Sequence, residues 1–240
     1  MNFGILAAGE GSRLSAEGIT VPKPMIELDG DPMIGRLLRI FGRCGAEEVA
    51  VVTNGERHET AQYLETLRPE LPFRLTVTEA VTPSSMHTFA RLAQMLWGKG
   101  RFITTTVDTV FDPDAFASYV RAFARADSDV DAMMAVTRYI DDEKPLYVRT
   151  DADMNITAFT DTDDNPVYVS AGIYGLDDSA RPVLENCLAS GVHRMRNFQR
   201  GLVETGLKIK AFDIGQALDV DHASDLAKAR ELLSTNKNNG

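Results

Sequence analysis

Cysteine is scarce in this chain: Cys44 and Cys187 are the only two among 240 residues. Two thiols cannot form the disulfide framework that staples small secreted domains, so both are read as reduced and inert. Basic side chains are outnumbered as well. Lys plus Arg total 25 against 35 Asp plus Glu, a formal net charge of -10, and the resulting field repels polyanions such as DNA. Nucleic acid is thereby excluded as a partner, and any bound phosphate must be met by local groups or a metal. The four histidines, His58, His87, His193 and His222, show no zinc spacing with the cysteines. From Met1 the chain enters Asn2-Phe-Gly-Ile-Leu-Ala-Ala without a basic leader or a long apolar run. That start predicts no signal peptide, no membrane partner and a cytoplasmic setting. Neither an internal repeat nor a long linker rich in Gly, Ser or Pro divides the sequence.

What is present is a 44% share of hydrophobic residues, enough for one domain that buries roughly 70–75% of its unfolded surface. Residues 1–235 are read as that domain, and 236–240 as a disordered tail. Short apolar runs alternate with amphipathic stretches, the pattern of an α/β fold with a mainly parallel sheet and helices on both faces. Strands are predicted over Phe3–Ala7, Glu48–Thr53, Arg74–Thr78, Phe102–Val107, Ala132–Thr137, Val167–Leu176 and Lys208–Asp213. Apolar residues three and four apart predict helices over Met33–Cys44, His58–Leu67, Ser85–Trp97, Pro113–Ala126, Ser179–Ser190 and Ala223–Leu233. Between Tyr139 and Asp164 the pattern changes to short strands and charged turns, which predicts a small antiparallel flap.

The strongest local signal is Leu6-Ala-Ala-Gly-Glu-Gly-Ser-Arg-Leu14 followed by Val21-Pro-Lys-Pro-Met25. Small residues after a buried strand let the backbone approach a ligand, and successive N–H groups in a glycine turn form an anion-binding concavity. Arg13 and Lys23 add two positive charges there, reversing the sign of an otherwise acidic protein. A dinucleotide fingerprint does not fit, because Leu14 occupies its third glycine position and Ser15–Pro24 reads as a polar loop instead of a helix.

Leu6–Leu14 together with Pro22-Lys23-Pro24 resembles the signature of the nucleoside-diphosphate-sugar pyrophosphorylases and related sugar-phosphate nucleotidyltransferases. The resemblance implies a Rossmann-like fold of the nucleotide-diphospho-sugar transferase type. It implies that Leu6, Ala7, Ala8, Gly9 and Gly11 wrap the nucleotide, that Arg13 and Lys23 are catalytic, and that Ser84 and Ser85 lie in the turn that reads the base.

Asp108 follows the strand Phe102–Val107 at its carboxyl end, the edge where open α/β sheets bind ligands. A hard carboxylate there suits Mg²⁺, the expected cofactor. A second ligand is expected from Ala217-Leu-Asp219-Val-Asp221, with Asp219 favoured over Asp221. Glu143-Lys-Pro145 matches a sugar-binding tripeptide of the family but precedes the segment it should follow, so it is read as structural. Asp161 is named instead as a possible hydroxyl acceptor, and Gly172 as the glycine against which a sugar lies. The acidic run from Asp161 to Asn165 is no EF-hand, since Pro166 stands where that loop needs glycine.

These residues predict a nucleotidyltransferase joining an NTP to a phosphorylated small molecule, most plausibly a sugar 1-phosphate, with release of pyrophosphate and formation of an NDP-sugar. The chain is expected as a monomer or homodimer. A cytidylyltransferase acting on phosphocholine and an inactive nucleotide-binding regulator are the alternatives. A glycosyltransferase would carry Asp-x-Asp at the central strand, and Asp108-Thr-Val does not supply it.

Overall fold

The structure, a computed structural model, describes residues 1–141 and 143–238. The first part of the chain forms β1 (Asn2–Ala7), α1 (Ser12–Ala16), β2 (Glu27–Leu28), β3 (Asp31–Pro32), α2 (Met33–Arg43), β4 (Glu48–Asn54), α3 (Glu59–Leu67) and β5 (Arg74–Ala80). The middle forms α4 (Ser85–Gln94), β6 (Phe102–Thr106), β7 (Thr109–Phe111), α5 (Pro113–Arg125), β8 (Ala132–Thr137), β9 (Tyr147–Thr150) and β10 (Ile156–Thr160). The last part forms β11 (Tyr168–Leu176), α6 (Arg181–Ala189), α7 (Met195–Glu204), β12 (Ile209–Asp213), β13 (Ala217–Asp219) and α8 (Ala223–Asn238). The tail expected over 236–240 overlaps the end of α8, and 239–240 lie outside the described residues.

A nine-stranded sheet runs β10-β9-β11-β6-β1-β4-β5, with β8 also paired to β11, and β12 to β8. Strands β6, β1, β4 and β5 are parallel, as are β8 and β12, while β11 joins the two groups antiparallel to both β6 and β8. The β9–β10 hairpin is the antiparallel flap expected between Tyr139 and Asp164.

Alternation along the buried strands divides the core. Leu6, Ala50 and Val52 pack with α4, α6 and α7 on one face, whereas Phe3, Ile5, Val49 and Val51 pack with α2, α3 and α5 on the other. On that second face Phe41 stacks on Phe3 at 4.5 Å and on Phe116 at 5.5 Å, tying α2, β1 and α5 together. A third cluster, with Leu14, Ile26, Leu28, Val110, Leu218, Val220 and Ala229, fastens α1, β2, β7, β13 and α8 to one another.

Helix α7 is not among the predicted helices. Its buried stripe, Met195, Phe198, Gln199 and Leu202, keeps the three- and four-residue spacing of an amphipathic helix, but one of its four members is the polar Gln199. The stretch read as a polar loop, Ser15–Pro24, begins inside the short helix α1, which ends at Ala16.

Strand β11 bends at its centre. Its pairing register with β8 shifts between Ser170 and Tyr174, and within that shift Gly172 has φ +70°. A Cβ at Gly172 would stand 2.9 Å from Thr109 Oγ1, so both the conformation and the space call for glycine. Gly172→Ala is expected to destabilise the fold by about 1–3 kcal/mol. Urea unfolding checks this, the midpoint falling while the slope is unchanged.

Candidate active site

The carboxyl ends of β1 and β6 open into a cleft of about 550 Å³ lined by Leu6, Ala8, Gly9, Gly11, Ser84 and Ser85, among others. Glycine is required at position 11, where φ is +62° and a Cβ would stand 3.2 Å from that of Lys23. Asn54 Nδ2 donates to the Ala8 carbonyl at 3.2 Å and holds the loop against β4.

Lys23 sits in a 3-10 turn between Pro22 and Pro24, whose rings stiffen the chain and direct the side chain inward. Its side chain is only 9% exposed, and its ammonium donates to Asp108 Oδ2 and, at 2.6 Å, to Asp221 Oδ1. Burial alone would lower the pKa of this lysine, but the two carboxylates outweigh it and hold the amine above its usual range. Burial likewise opposes the charge of Asp108, and the Lys23 ammonium overcomes that opposition, holding the carboxyl below its usual range. The other carboxylate oxygen, Asp108 Oδ1, is buried without a hydrogen-bond partner.

Backbone pairing brings the late acidic segment to the same place. Asp219 of β13 lies opposite Thr109 of β7, and the Val220 N–H donates to the Asp108 carbonyl at 3.1 Å. Asp225 in the first turn of α8 accepts from the backbone N–H groups of Asp221 (3.1 Å) and His222 (2.8 Å), fixing the segment at its other end. The two late aspartates then differ. Asp221 is occupied by cations, with Lys23 on Oδ1 and Arg13 Nη1 on Oδ2 at 2.7 Å. Asp219 accepts only from Thr109 Oγ1, at 2.8 Å. Its carboxyl is raised above the ordinary range by burial first and then by Asp108. The residue is nonetheless exposed, at the smaller cavity described next, which moderates the effect.

A second, smaller cavity of about 90 Å³ adjoins the cleft and shares Arg13 and Asp221 with it. Its other lining residues include Tyr139, Glu143, Ser170, Asp219 and His222. Gly172 borders it, since a Cβ there would stand 3.9 Å from Asp219 Oδ1.

Two of the expected residues lie outside both cavity linings. Asp161 lines neither cavity, because Arg196 (2.6 Å) and Arg200 (2.7 Å) of α7 hold its carboxylate. Ala7 is not among the cleft residues either: strand alternation turns its side chain into the opposite core layer with Phe3 and Ile5. Conversely, Glu143, read as structural, lines the smaller cavity. His222 was missed, and its signal was its place directly after Asp221. Among the described residues no group of three or more His, Cys, Asp or Glu side chains forms a metal cage. No described helix is long and apolar enough to cross a membrane.

Cations and carboxylates thus converge at the carboxyl edge of an α/β sheet, the edge where such folds bind ligands, between two adjoining cavities. Residues 4–199 match the MobA-like NTP transferase domain, and the chain belongs to that family. The fold is similar to that of the inositol-1-phosphate CTP transferase from T. maritima, with a TM-score of 0.81, 22% identity and coverage of 98% of this chain and 96% of that one. It is also similar to a UDP-glucose pyrophosphorylase complexed with UDP-glucose, with a TM-score of 0.78, 15% identity and coverage of 98% of each chain. Among curated proteins, the bifunctional protein GlmU of Methanococcus maripaludis is 24% identical over 232 residues, which cover 92% of this chain and 53% of that protein. The chain thus spans about half the length of the curated relatives it matches.

The raised carboxyl of Asp219 costs the free protein stability. With a folded pKa above the unfolded one, that cost is absent at acid pH, appears as pH rises from the ordinary carboxylate value through the raised one, and is complete above it. Asp219→Asn is therefore expected to raise the melting temperature in chelator near pH 8, at about 2–4 °C per kcal/mol relieved for a chain of this length. The difference from wild type should close near pH 4, and thermal scans at both pH values check it.

Proposed function

We propose that this nucleotidyltransferase transfers a nucleoside monophosphate from an NTP to a sugar 1-phosphate or a closely related phosphorylated polyol, forming the NDP-linked product and pyrophosphate. The observation that carries the reading is the position of Lys23, Asp108 and Asp221 at the cleft, with Arg13 and Asp221 shared between the larger and the smaller cavity. The 550 Å³ cleft is the proposed nucleotide site and the smaller cavity the proposed acceptor site. The named functions of the similar folds are compatible with this assignment.

In the reaction, a phosphate oxygen of the acceptor attacks the α-phosphorus of the NTP. The new P–O bond forms as the bond from the α-phosphorus to the bridging oxygen breaks, and that oxygen leaves with its electron pair on pyrophosphate. A phosphate monoester is already an adequate nucleophile, so no general base or covalent intermediate is needed. Catalysis consists of positioning and of neutralising the charge that develops. Lys23 steadies the α-phosphate, and Arg13 holds the departing pyrophosphate.

Asp108 and Asp219 fit a hard cation: their donors are carboxylate oxygens, and Asp108 Oδ1 is buried and partnerless. Two carboxylates are as many as Mg²⁺ commonly takes from a protein, and Asp108 and Asp219 would hold it there. When bound, Mg²⁺ supplies electrostatic stabilisation of the phosphate oxygens. Asp221, with both oxygens on cations, orients Lys23 and Arg13 instead of ligating. The free thiols of Cys44 and Cys187 fit a reducing, cytoplasmic setting.

Pyrophosphate release from each of the four common NTPs, paired with sugar 1-phosphates, inositol 1-phosphate and phosphocholine, tests the reading. Release is expected with a sugar or inositol phosphate, and chelator should abolish it. Lys23→Ala is expected to lower kcat about 10²–10³-fold, comparable to loss of one oxyanion donor. Turnover by that variant at the wild-type rate would overturn the assignment of Lys23. No release with any pair would favour the nucleotide-binding regulator.

A further inference from the structure

Most charged groups around the smaller cavity are committed to partners. Asp219 accepts from Thr109, Asp221 from Lys23 and Arg13, and Asp225 from two backbone N–H groups, while Asp141 pairs with Lys228 at 2.5 Å. Two groups stand apart. Glu143 has a side chain 72% exposed, and its nearest cationic partner is His222 Nε2 at 4.0 Å, beyond hydrogen-bond reach. His222 Nε2 is buried and has no hydrogen-bond partner.

The imidazole is held firmly from its other side. Its Nδ1 meets Glu17 Oε1 at 2.6 Å, and the second oxygen of Glu17 accepts from the Ala223 N–H, also at 2.6 Å. Glu17 therefore fixes the ring at the start of α8 and leaves Nε2 toward Glu143. Nε2 is covered in the free protein, so an oxygen atom stands about 2.8 Å from each group once the exposed Glu143 side chain shifts outward. A hydroxyl suits the place in either protonation state of the ring. It can donate to the Nε2 lone pair or accept from an Nε2–H, and Glu143 remains an acceptor for it or for a neighbouring hydroxyl.

We propose that His222 and Glu143 form a hydroxyl-reading pair in the smaller cavity that selects a polyhydroxylated acceptor. The inference rests on the transferase reading of that cavity and narrows its substrate class to sugar or cyclitol phosphates. Phosphocholine is disfavoured on the same ground, because it carries no hydroxyl to place between the two groups. Its quaternary ammonium calls for an aromatic enclosure, and Tyr139 is the one aromatic residue among those lining the cavity.

Two isosteric changes separate a reading role from a merely structural one. In His222→Asn the amide nitrogen can replace Nδ1 and keep Glu17, but nothing occupies the Nε2 position. In His222→Gln the amide reaches toward the Nε2 position and abandons Glu17. Steady-state kinetics should show the acceptor KM rising about tenfold in His222→Asn and in Glu143→Gln, with the NTP KM unchanged and His222→Gln the milder of the two histidine variants. Calorimetric titration of glucose 1-phosphate and inositol 1-phosphate into wild type and His222→Asn reads the same contact without turnover. Weaker binding in the variant, with an unaltered melting temperature, supports the pair even if pyrophosphate release fails, and that combination would overturn the transferase reading alone. The pair is overturned if His222→Asn binds and turns over these acceptors like wild type. It is equally overturned if His222→Gln is the more damaged variant and loses thermal stability, or if phosphocholine is the preferred acceptor.

Discussion

The ammonium of Lys23 is the interaction on which the rest of the site depends. It stands between Asp108, from the end of the central strand β6, and Asp221, from the approach to α8, and so closes three distant parts of the chain onto one point. Without it, Asp108, Asp219 and Asp221 would face one another with only the half-exposed Arg13 to offset them. Desolvation makes the contact costly to form and costly to break, which ties its geometry to the packing around it. That packing is the cluster of Leu14, Ile26, Val110, Leu218 and Val220, which holds the N-terminal loop, the β7–β13 pair and α8 in fixed relation.

The fold follows from the same economy of placement. Parallel strands β6, β1, β4 and β5 bring their carboxyl ends to one edge, and the antiparallel β11 turns the sheet so that a second strand group and the β9–β10 hairpin stand beside that edge. One half of the molecule thereby lines the larger cleft with backbone and small residues, and the other half supplies a wall of the smaller cavity. The bend at Gly172 lies where the two halves meet.

The long strands and most covering helices were legible because each buries a face whose period survives in the sequence; α7 keeps that period too, but only three apolar residues and the polar Gln199 carry it, and the two- and three-residue strands are too short to show one. The lining of the larger cleft was legible for a different reason. Leu6–Arg13 and Lys23 lie close in sequence, and their glycines and prolines are dictated by backbone geometry that leaves a visible mark. The smaller cavity gathers Tyr139, Glu143, Ser170, Asp219 and His222 from separate segments, and no local pattern announces that convergence. The pairing of Asp161 was hidden for the complementary reason. Its partners Arg196 and Arg200 sit on the unrecognised helix, so a carboxylate that looked free in the sequence is an anchor between the flap and α7.

Arg13 lines both cavities while its guanidinium rests on Asp221. An anion that draws this group into the larger space leaves one Asp221 oxygen without its cation, at the border of the smaller one. On the proposed two-site reading, occupancy of one compartment would alter the electrostatic field of the other, and the affinities of the two ligands would be thermodynamically linked through a single side chain. By reciprocity the linkage runs with equal strength in both directions.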